Sequence, residues 1–193
     1  IRNCHVRDGS AVSRYLAWID REVAGGKLYN EAELADKLES FRRELTDIHD
    51  LSFDTISAAG KNGALCHYNH MNGTPAMLEM NNLYLVDSGG QYSDGTTDIT
   101  RTVIIGEPTA EHRKMYTLVL KGHIALARAV FPRGTSGVQL DVLARQFLWQ
   151  EGLDYDHGTG HGVGAFLSVH EGPQRITKSG PQQELLPGMV ISN

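Results

Sequence analysis

The sequence predicts an α+β fold, in which helices and antiparallel hairpins occupy separate stretches of the chain. Four segments carry apolar residues at helical spacing, and Asp94-Gly95 is a hairpin turn signal between two strand-like runs. The order helix, helix, hairpin occurs twice along the chain. This repeated order predicts two similar halves.

The N-terminal helices are predicted from apolar spacing and from their end signals. Residues 10–24 form the first helix, which Gly25-Gly26 ends. Asn30 is expected to cap the second helix, with Glu33 at the reciprocal position of a capping box. A mixed strand and loop region, 51–67, follows.

Two short strands are predicted around the first hairpin, at 83–86 and 99–105, because both runs are rich in apolar and β-branched residues. Between them, Gly89-Gly90 permits a bulge.

The C-terminal half begins with two more predicted helices. Thr109 is expected to cap a helix that reaches about residue 130, and Ser136 to start another that stops at Gly152. A glycine-rich, strand-like stretch follows from residue 157. Within it, 165–169 is predicted as an apolar strand and 189–191 as a buried one.

The composition is that of one globular domain, 1–193, with 40% hydrophobic and 21% charged residues. A net charge of −5 argues against a nucleic-acid or membrane-surface protein. The two cysteines, Cys4 and Cys66, exclude a disulfide scaffold and a cysteine zinc site, and they fit a reducing compartment such as the cytoplasm.

Two aspartates flank the predicted hairpin, Asp87 at the end of one strand and Asp98 at the start of the next. Aspartate is a poor strand residue, and a buried carboxylate needs a partner or a metal ion. The pair favours a divalent cation. The alternative is that Asp87 caps a turn while Asp98 pairs with Arg101.

A second cluster, 157–164, contains two histidines among four glycines. The glycines make a helix improbable and leave room for a substrate near the backbone. One imidazole could bind a metal ion and another could exchange a proton near neutral pH. A glycine-rich turn with two solvated histidines is the alternative. His67 and His170 are weak candidates by themselves.

These motifs resemble those of the pita-bread metallopeptidases, and among them the Xaa-Pro aminopeptidases. The resemblance rests on Val86-Asp87-Ser88-Gly89-Gly90, on Asp94-Gly95-Thr96-Thr97-Asp98, and on the segments 157–164 and 169–173. It runs over nearly the whole chain. It implies the pita-bread fold and the removal of the N-terminal residue from peptides with proline in second position, by a metal-activated hydroxide.

The resemblance also implies a residue for each role. Asp87, Asp98 and His161 match metal ligands, and Asp98 matches the carboxylate that bridges two ions, usually Mn²⁺, with Zn²⁺ or Co²⁺ as alternatives. The histidines that match those lining the substrate pocket are His67, His157 and His170. The family uses two further ligand glutamates, which would lie beyond Asn193.

The chain is therefore expected to be a catalytic domain truncated at both ends, with an incomplete C-terminal half and no activity by itself. Proline-containing peptides are the expected partners, and nucleic acid and membranes are not. The resemblance implies a homodimer for the full-length protein. A prolidase and a non-catalytic peptide-binding module on the same fold are the alternative functions.

Overall fold

The structure, a computed structural model, describes every residue from Ile1 to Asn193. It divides into two units: unit 1 comprises residues 1–108 and 165–169, and unit 2 comprises residues 109–164 and 170–193. Each unit combines helices with antiparallel strands, so the α+β prediction is confirmed.

Unit 1 contains two α-helices and two three-stranded antiparallel sheets. The helices are α1 (Arg2–Ala24) and α2 (Glu31–Arg43). The strands are β1 (Ile48–Leu51), β2 (Ile56–Ala59), β3 (Asn82–Ser88), β4 (Gly90–Tyr92), β5 (Gly95–Thr96) and β6 (Ile99–Ile105). One sheet has the order β2-β3-β6 and the other β1-β4-β5.

The core of unit 1 forms between its helices and the β2-β3-β6 sheet. Its buried members are Val12, Tyr15, Ile19, Leu34, Leu38, Ala59, Leu78, Tyr84, Val86 and Ile105. Tyr84 and Val86 are alternate residues of β3, so that face of the strand points into the core. Asp87 therefore lies on the opposite face.

Unit 2 contains α3 (Ala110–Ala127), α4 (Gly137–Trp149), β7 (Gly160–His161) and β8 (Arg175–Ile176). Its buried apolar core is small and consists of Leu126, Leu140, Ala144 and Ile176. The two strands pair over only two residues each, so most of the chain after residue 157 is irregular.

The capping residues predicted for three helices are confirmed. Asn30 accepts a hydrogen bond from the Glu33 amide at 3.0 Å, and the Glu33 carboxylate accepts one from the Asn30 amide at 2.8 Å. Thr109 caps α3 in the same reciprocal way, and Ser136 directly precedes α4, where its amide donates to the Gln139 side chain at 2.8 Å. α1 begins earlier than predicted, at Arg2, and α3 ends slightly earlier, at Ala127.

Two predicted strands are wrong. Residues 165–169 form no strand, because Leu167 has a left-handed backbone with φ of 71°, and the apolar Phe166 and Leu167 are exposed. Near the C-terminus, the predicted buried strand is reduced to one isolated bridge between Gly162 and Ile191. No helix in the structure is long and apolar enough to cross a membrane.

Candidate metal centre and histidine motif

Asp87 and Asp98 share one face of the β3-β6 hairpin. Asp87 is paired with Thr100 across the strands, and Asp98 precedes Thr100 by two residues. Asp98 directly precedes β6, and the alternation of that strand, continued by one residue, would place Asp98 on the same face as Asp87, in a diagonal position at about 7–8 Å. Both residues are half-buried. The hairpin therefore presents two carboxylates together on a partly accessible face.

The glycine at the end of β3 permits a close approach of two backbones. A Cβ atom at Gly89 would overlap the carbonyl oxygen of Thr97 and the hydroxyl of Ser52. Strand pairing passes here from the β3-β6 ladder to the β4-β5 hairpin. Gly89 thus brings the segment before Asp98 against the end of the Asp87 strand.

A buried polar cluster supports this hairpin. We name it the Asp8 cluster, and it consists of Asp8, Arg42, Tyr92 and Thr97. Asp8 and Arg42 are completely buried and form an ion pair at 2.6 Å. Tyr92 and Thr97 donate hydroxyl hydrogen bonds to Asp8 at 2.7 and 2.8 Å. Because Thr97 adjoins Asp98, the cluster fixes the backbone next to a predicted ligand.

Burial and the Asp8 carboxylate raise the pKa of Tyr92 far above its usual range. The Tyr92 hydroxyl therefore stays protonated and remains a hydrogen-bond donor to Asp8.

His67 occupies a loop of unit 1 in a strained backbone conformation. Its φ of 57° lies in the left-handed region, which is uncommon for a residue other than glycine. The next residue, Tyr68, anchors the loop by donating its hydroxyl hydrogen to Glu31 at 2.9 Å. The His67 side chain is exposed, while the side chain of the next residue is held by this hydrogen bond.

Glu31 is the completely buried anchor of that loop. Burial raises the pKa of its carboxyl, but hydrogen bonds from Asn62 and from the backbone amides of Ala59 and Ala76 outweigh burial, so the pKa is lowered overall. Glu31 therefore stays ionised and joins the start of α2 to the His67 loop.

In unit 2, the rings of His157 and His161 each have a carbonyl oxygen beside Nδ1, and a carbonyl oxygen can only accept a hydrogen bond. Nδ1 of His157 bonds to the Gly158 carbonyl at 2.8 Å, and Nδ1 of His161 bonds to the Gly162 carbonyl at 2.9 Å. Each Nδ1 therefore donates to that carbonyl oxygen. A hydrogen bond from one ring nitrogen to a carbonyl oxygen orients the imidazole, as is usual for histidines that ligate a metal ion through the other nitrogen.

His161 and His170 are brought together in unit 2. Their ring centroids lie 4.3 Å apart, with the planes at 82°. Gly162 makes this possible, because a Cβ there would overlap the carbonyl oxygen of Glu171. The Glu171 amide also donates to the Gly162 carbonyl at 2.9 Å. One predicted ligand and one predicted pocket histidine are therefore neighbours.

A second buried cluster supports the histidine motif. We name it the Arg145 cluster, and it consists of Asp141, Arg145, Tyr155 and Thr159. Arg145 is completely buried and pairs with Asp141 at 2.6 Å. Thr159 donates to Asp141 at 2.6 Å, and its hydroxyl lies 2.5 Å from that of Tyr155. Burial lowers the pKa of Arg145, but the hydrogen bonds to Asp141 and Asp154 outweigh it and raise that pKa overall.

Sequence reasoning missed the residues that hold these motifs. Asp141 and Arg145 could have been found, since a charged pair at i and i+4 lies beside the buried helical positions of Leu140 and Ala144. Asp8 and Arg42 give no local signal, because 34 residues separate them in sequence.

Comparison with known proteins places the chain in a family. The sequence model of Metallopeptidase family M24 matches residues 1–193, so the chain belongs to this family. A Sordaria macrospora protein named "Probable Xaa-Pro aminopeptidase P" is 56% identical over 195 residues, which covers 100% of this chain and 32% of that protein.

Solved structures agree. The X-prolyl aminopeptidase of Caenorhabditis elegans, described as a cytosolic enzyme with a di-nuclear active site, matches with a TM-score of 0.94 and 48% identity, over 98% of this chain and 31% of that one. The Xaa-Pro dipeptidase of Bacillus anthracis matches with a TM-score of 0.81 and 27% identity, over 99% of this chain and 50% of that one. The predicted pita-bread fold is thereby confirmed. The chain spans about a third of the length of the curated relatives it matches.

Proposed function

We propose that the full-length protein is a metal-dependent aminopeptidase that removes the N-terminal residue from peptides with proline in second position. The observation that carries this proposal is a pair of carboxylates on one hairpin face, in a member of family M24 that is 48% identical to an X-prolyl aminopeptidase. A cytoplasmic location, as described for the C. elegans protein, is part of the proposal, and so is a homodimer.

Asp87, Asp98 and His161 are the proposed metal ligands from this chain, with two ions per site. Carboxylate oxygens and imidazole nitrogen are donors that suit Mn²⁺, Zn²⁺ and Co²⁺, and we favour Mn²⁺. The His161 ring fits this role because its Nδ1 donates to the Gly162 carbonyl, a contact that orients the ring for ligation through the other nitrogen. When bound, such ions lower the pKa of water and polarise a carbonyl group.

His67, His157 and His170 are the proposed pocket residues. All three side chains are exposed, and the backbone around each is held by identified contacts. Nε2 of His157 is free to hold a proton or to donate to the scissile carbonyl, because Nδ1 is engaged with Gly158. These residues orient the peptide and balance charge on its carbonyl oxygen.

The test uses the full-length protein with added Mn²⁺ and two tripeptides that differ only in proline or alanine at the second position. Fast release of the first residue from the proline peptide alone supports the proposal. An Asp98→Ala variant should lose that activity. Equal release from both peptides, or none from either, contradicts the proposal.

A prolidase is the second candidate, because the B. anthracis neighbour is an Xaa-Pro dipeptidase. The greater identity to aminopeptidases, 48–56% against 27%, favours the first candidate. Cleavage of a dipeptide ending in proline, with the tripeptide left intact, would favour the prolidase. Binding of the peptides without cleavage and without Mn²⁺ would indicate a peptide-binding module.

A further inference from the structure

We infer that Arg145 is a positioning residue for the reaction, acting by holding the backbone of the segment 157–161. The inference rests on the proposed function for its kinetic consequence. The contacts of Arg145 are with Asp141, Asp154, Tyr155 and the His157 carbonyl and with no proposed ligand side chain, so it acts through the segment that it holds.

The guanidinium group of Arg145 joins α4 to the histidine motif. Its Nε bonds to Asp141 at 2.6 Å, and its Nη1 bonds to Asp154 at 2.9 Å and to the Tyr155 carbonyl at 2.5 Å. Its Nη2 bonds to the carbonyl oxygen of His157 at 2.8 Å. All three nitrogens of a completely buried side chain are thus directed at the motif or at the aspartates around it.

The Tyr155 ring extends this support to the side chain of His157. The guanidinium carbon of Arg145 lies 3.7 Å from the centroid of the Tyr155 ring. The Tyr155 ring in turn lies 4.7 Å from the ring of His157. Arg145 therefore supports His157 in two ways. It bonds the His157 carbonyl oxygen directly, and it contacts the His157 side chain indirectly through the Tyr155 ring.

The motif needs such a support because its own secondary structure is short. β7 and β8 pair through only two residues each. Gly158 and Gly160 add conformational freedom that must be lost on ordering. Thr159 and His161 do donate backbone hydrogen bonds, to the Ile176 carbonyl at 2.9 Å and to the Ser192 hydroxyl at 3.0 Å, but nothing comparable holds the His157 carbonyl except Arg145.

The test is Arg145→Lys in the full-length protein. Lysine keeps the charge beside Asp141, but its single nitrogen cannot reach Asp141 and the His157 carbonyl together or stack on Tyr155. We expect kcat for the proline tripeptide to fall by about 10²-fold with KM little changed, since a displacement of about 1 Å has that effect on a reaction. Amide hydrogen exchange of Thr159 and His161 should become faster.

Arg42→Lys is the matched control, because Arg42 is equally buried and also bonds an aspartate, but it contacts no part of the histidine motif. It should lower Tm comparably and leave exchange at Thr159 and His161 unchanged. Should Arg145→Lys fail to fold, Tyr155→Leu removes the stacked ring while the Asp141 ion pair remains. It should lower kcat by about 10-fold and speed the same exchange.

The outcomes separate the two proposals. A wild-type protein that does not cleave the proline peptide contradicts the proposed function, and the exchange measurement still decides the role of Arg145. Unchanged exchange at Thr159 and His161 overturns the positioning role. So does a loss of activity that only follows the loss of folded protein, with kcat per folded molecule unchanged.

Discussion

Each unit holds its motif with a buried cluster of an arginine, an aspartate and a threonine. The arginine acts on the motif through other residues in unit 1 and bonds the motif backbone directly in unit 2. In the Asp8 cluster of unit 1, the buried arginine bonds only an aspartate, which then holds Thr97, the residue before Asp98. In the Arg145 cluster of unit 2, the buried arginine bonds an aspartate and also the His157 carbonyl. In both units a threonine hydroxyl donates to that aspartate.

The difference follows from how much regular structure each motif has. The unit 1 motif lies on a ladder of seven paired residues between β3 and β6, so backbone hydrogen bonds already fix Asp87. The unit 2 motif has a ladder of two pairs. Where strand pairing is short, an arginine with several donors can hold the backbone that strands would otherwise hold.

The largest expected effect is that of His170→Ala in unit 2. The kcat for the proline tripeptide should fall by about 10²–10⁴-fold, the range for a lost proton donor or oxyanion donor. Bound Mn²⁺ should remain, since His170 is proposed to line the pocket. Steady-state kinetics and metal analysis check this, with His123→Ala as a control on the exposed side of α3. Loss of the metal in His170→Ala would make it a ligand instead.

Arg42→Met in unit 1 should have the next largest effect, on folding. It leaves the completely buried Asp8 carboxylate without its ion pair, which costs about 3–5 kcal/mol. Urea denaturation measures the change. The neighbouring Arg43→Met is the control, because Arg43 forms exposed ion pairs that contribute about 0–1 kcal/mol. Equal losses in the free energy of unfolding for both variants would contradict the greater contribution expected of the buried ion pair.

Replacing the threonine of either cluster by valine should lower the free energy of unfolding by a smaller amount, and the two losses should differ. Thr97→Val removes a donor to Asp8 and also the acceptor of the Gly90 amide, so we expect a loss of about 1–3 kcal/mol in the free energy of unfolding. The loss for Thr159→Val should lie at the lower end of this range, because Thr159 is only half-buried. Urea denaturation of both variants measures these losses. A larger loss for Thr159→Val than for Thr97→Val would contradict this order.

The smallest expected effect is an acid sensitivity of unit 2. Lys178, with Arg145, holds the pKa of Asp154 well below its ordinary value of 3.8. Because the folded pKa is the lower one, the stabilisation is complete at neutral pH and is lost as pH falls below that ordinary value. Tm measured down to about pH 2 should therefore fall less steeply in Lys178→Met. An unchanged slope would exclude Asp154 from the acid response.

Local signals predicted the helices and the hairpin well. Asn30 and Thr109 cap helices because a side-chain oxygen next to a free amide acts within one turn of chain, and Ser136 starts α4 as predicted. The strand 99–105 was predicted at its observed bounds, since β-branched residues fill it.

Contacts between distant residues could not be predicted in this way. The apolar run at 165–169 predicts a strand. In the structure Leu167 has a left-handed backbone, and the run forms no strand. The placement of Asp98 beside Asp87 could be anticipated from the hairpin, whereas the Asp8 and Arg42 pair depends on how α1 and α2 pack.

The most direct test of the account is the amount of Mn²⁺ bound per chain, measured by calorimetry on the full-length protein, its Asp98→Ala variant and its His157→Ala variant. Asp87, Asp98 and His161 are the proposed metal ligands, and His157 is a proposed pocket residue. We expect two ions in the wild type, their loss in Asp98→Ala and no change in His157→Ala. Undiminished binding in Asp98→Ala, or lost binding in His157→Ala, would contradict it.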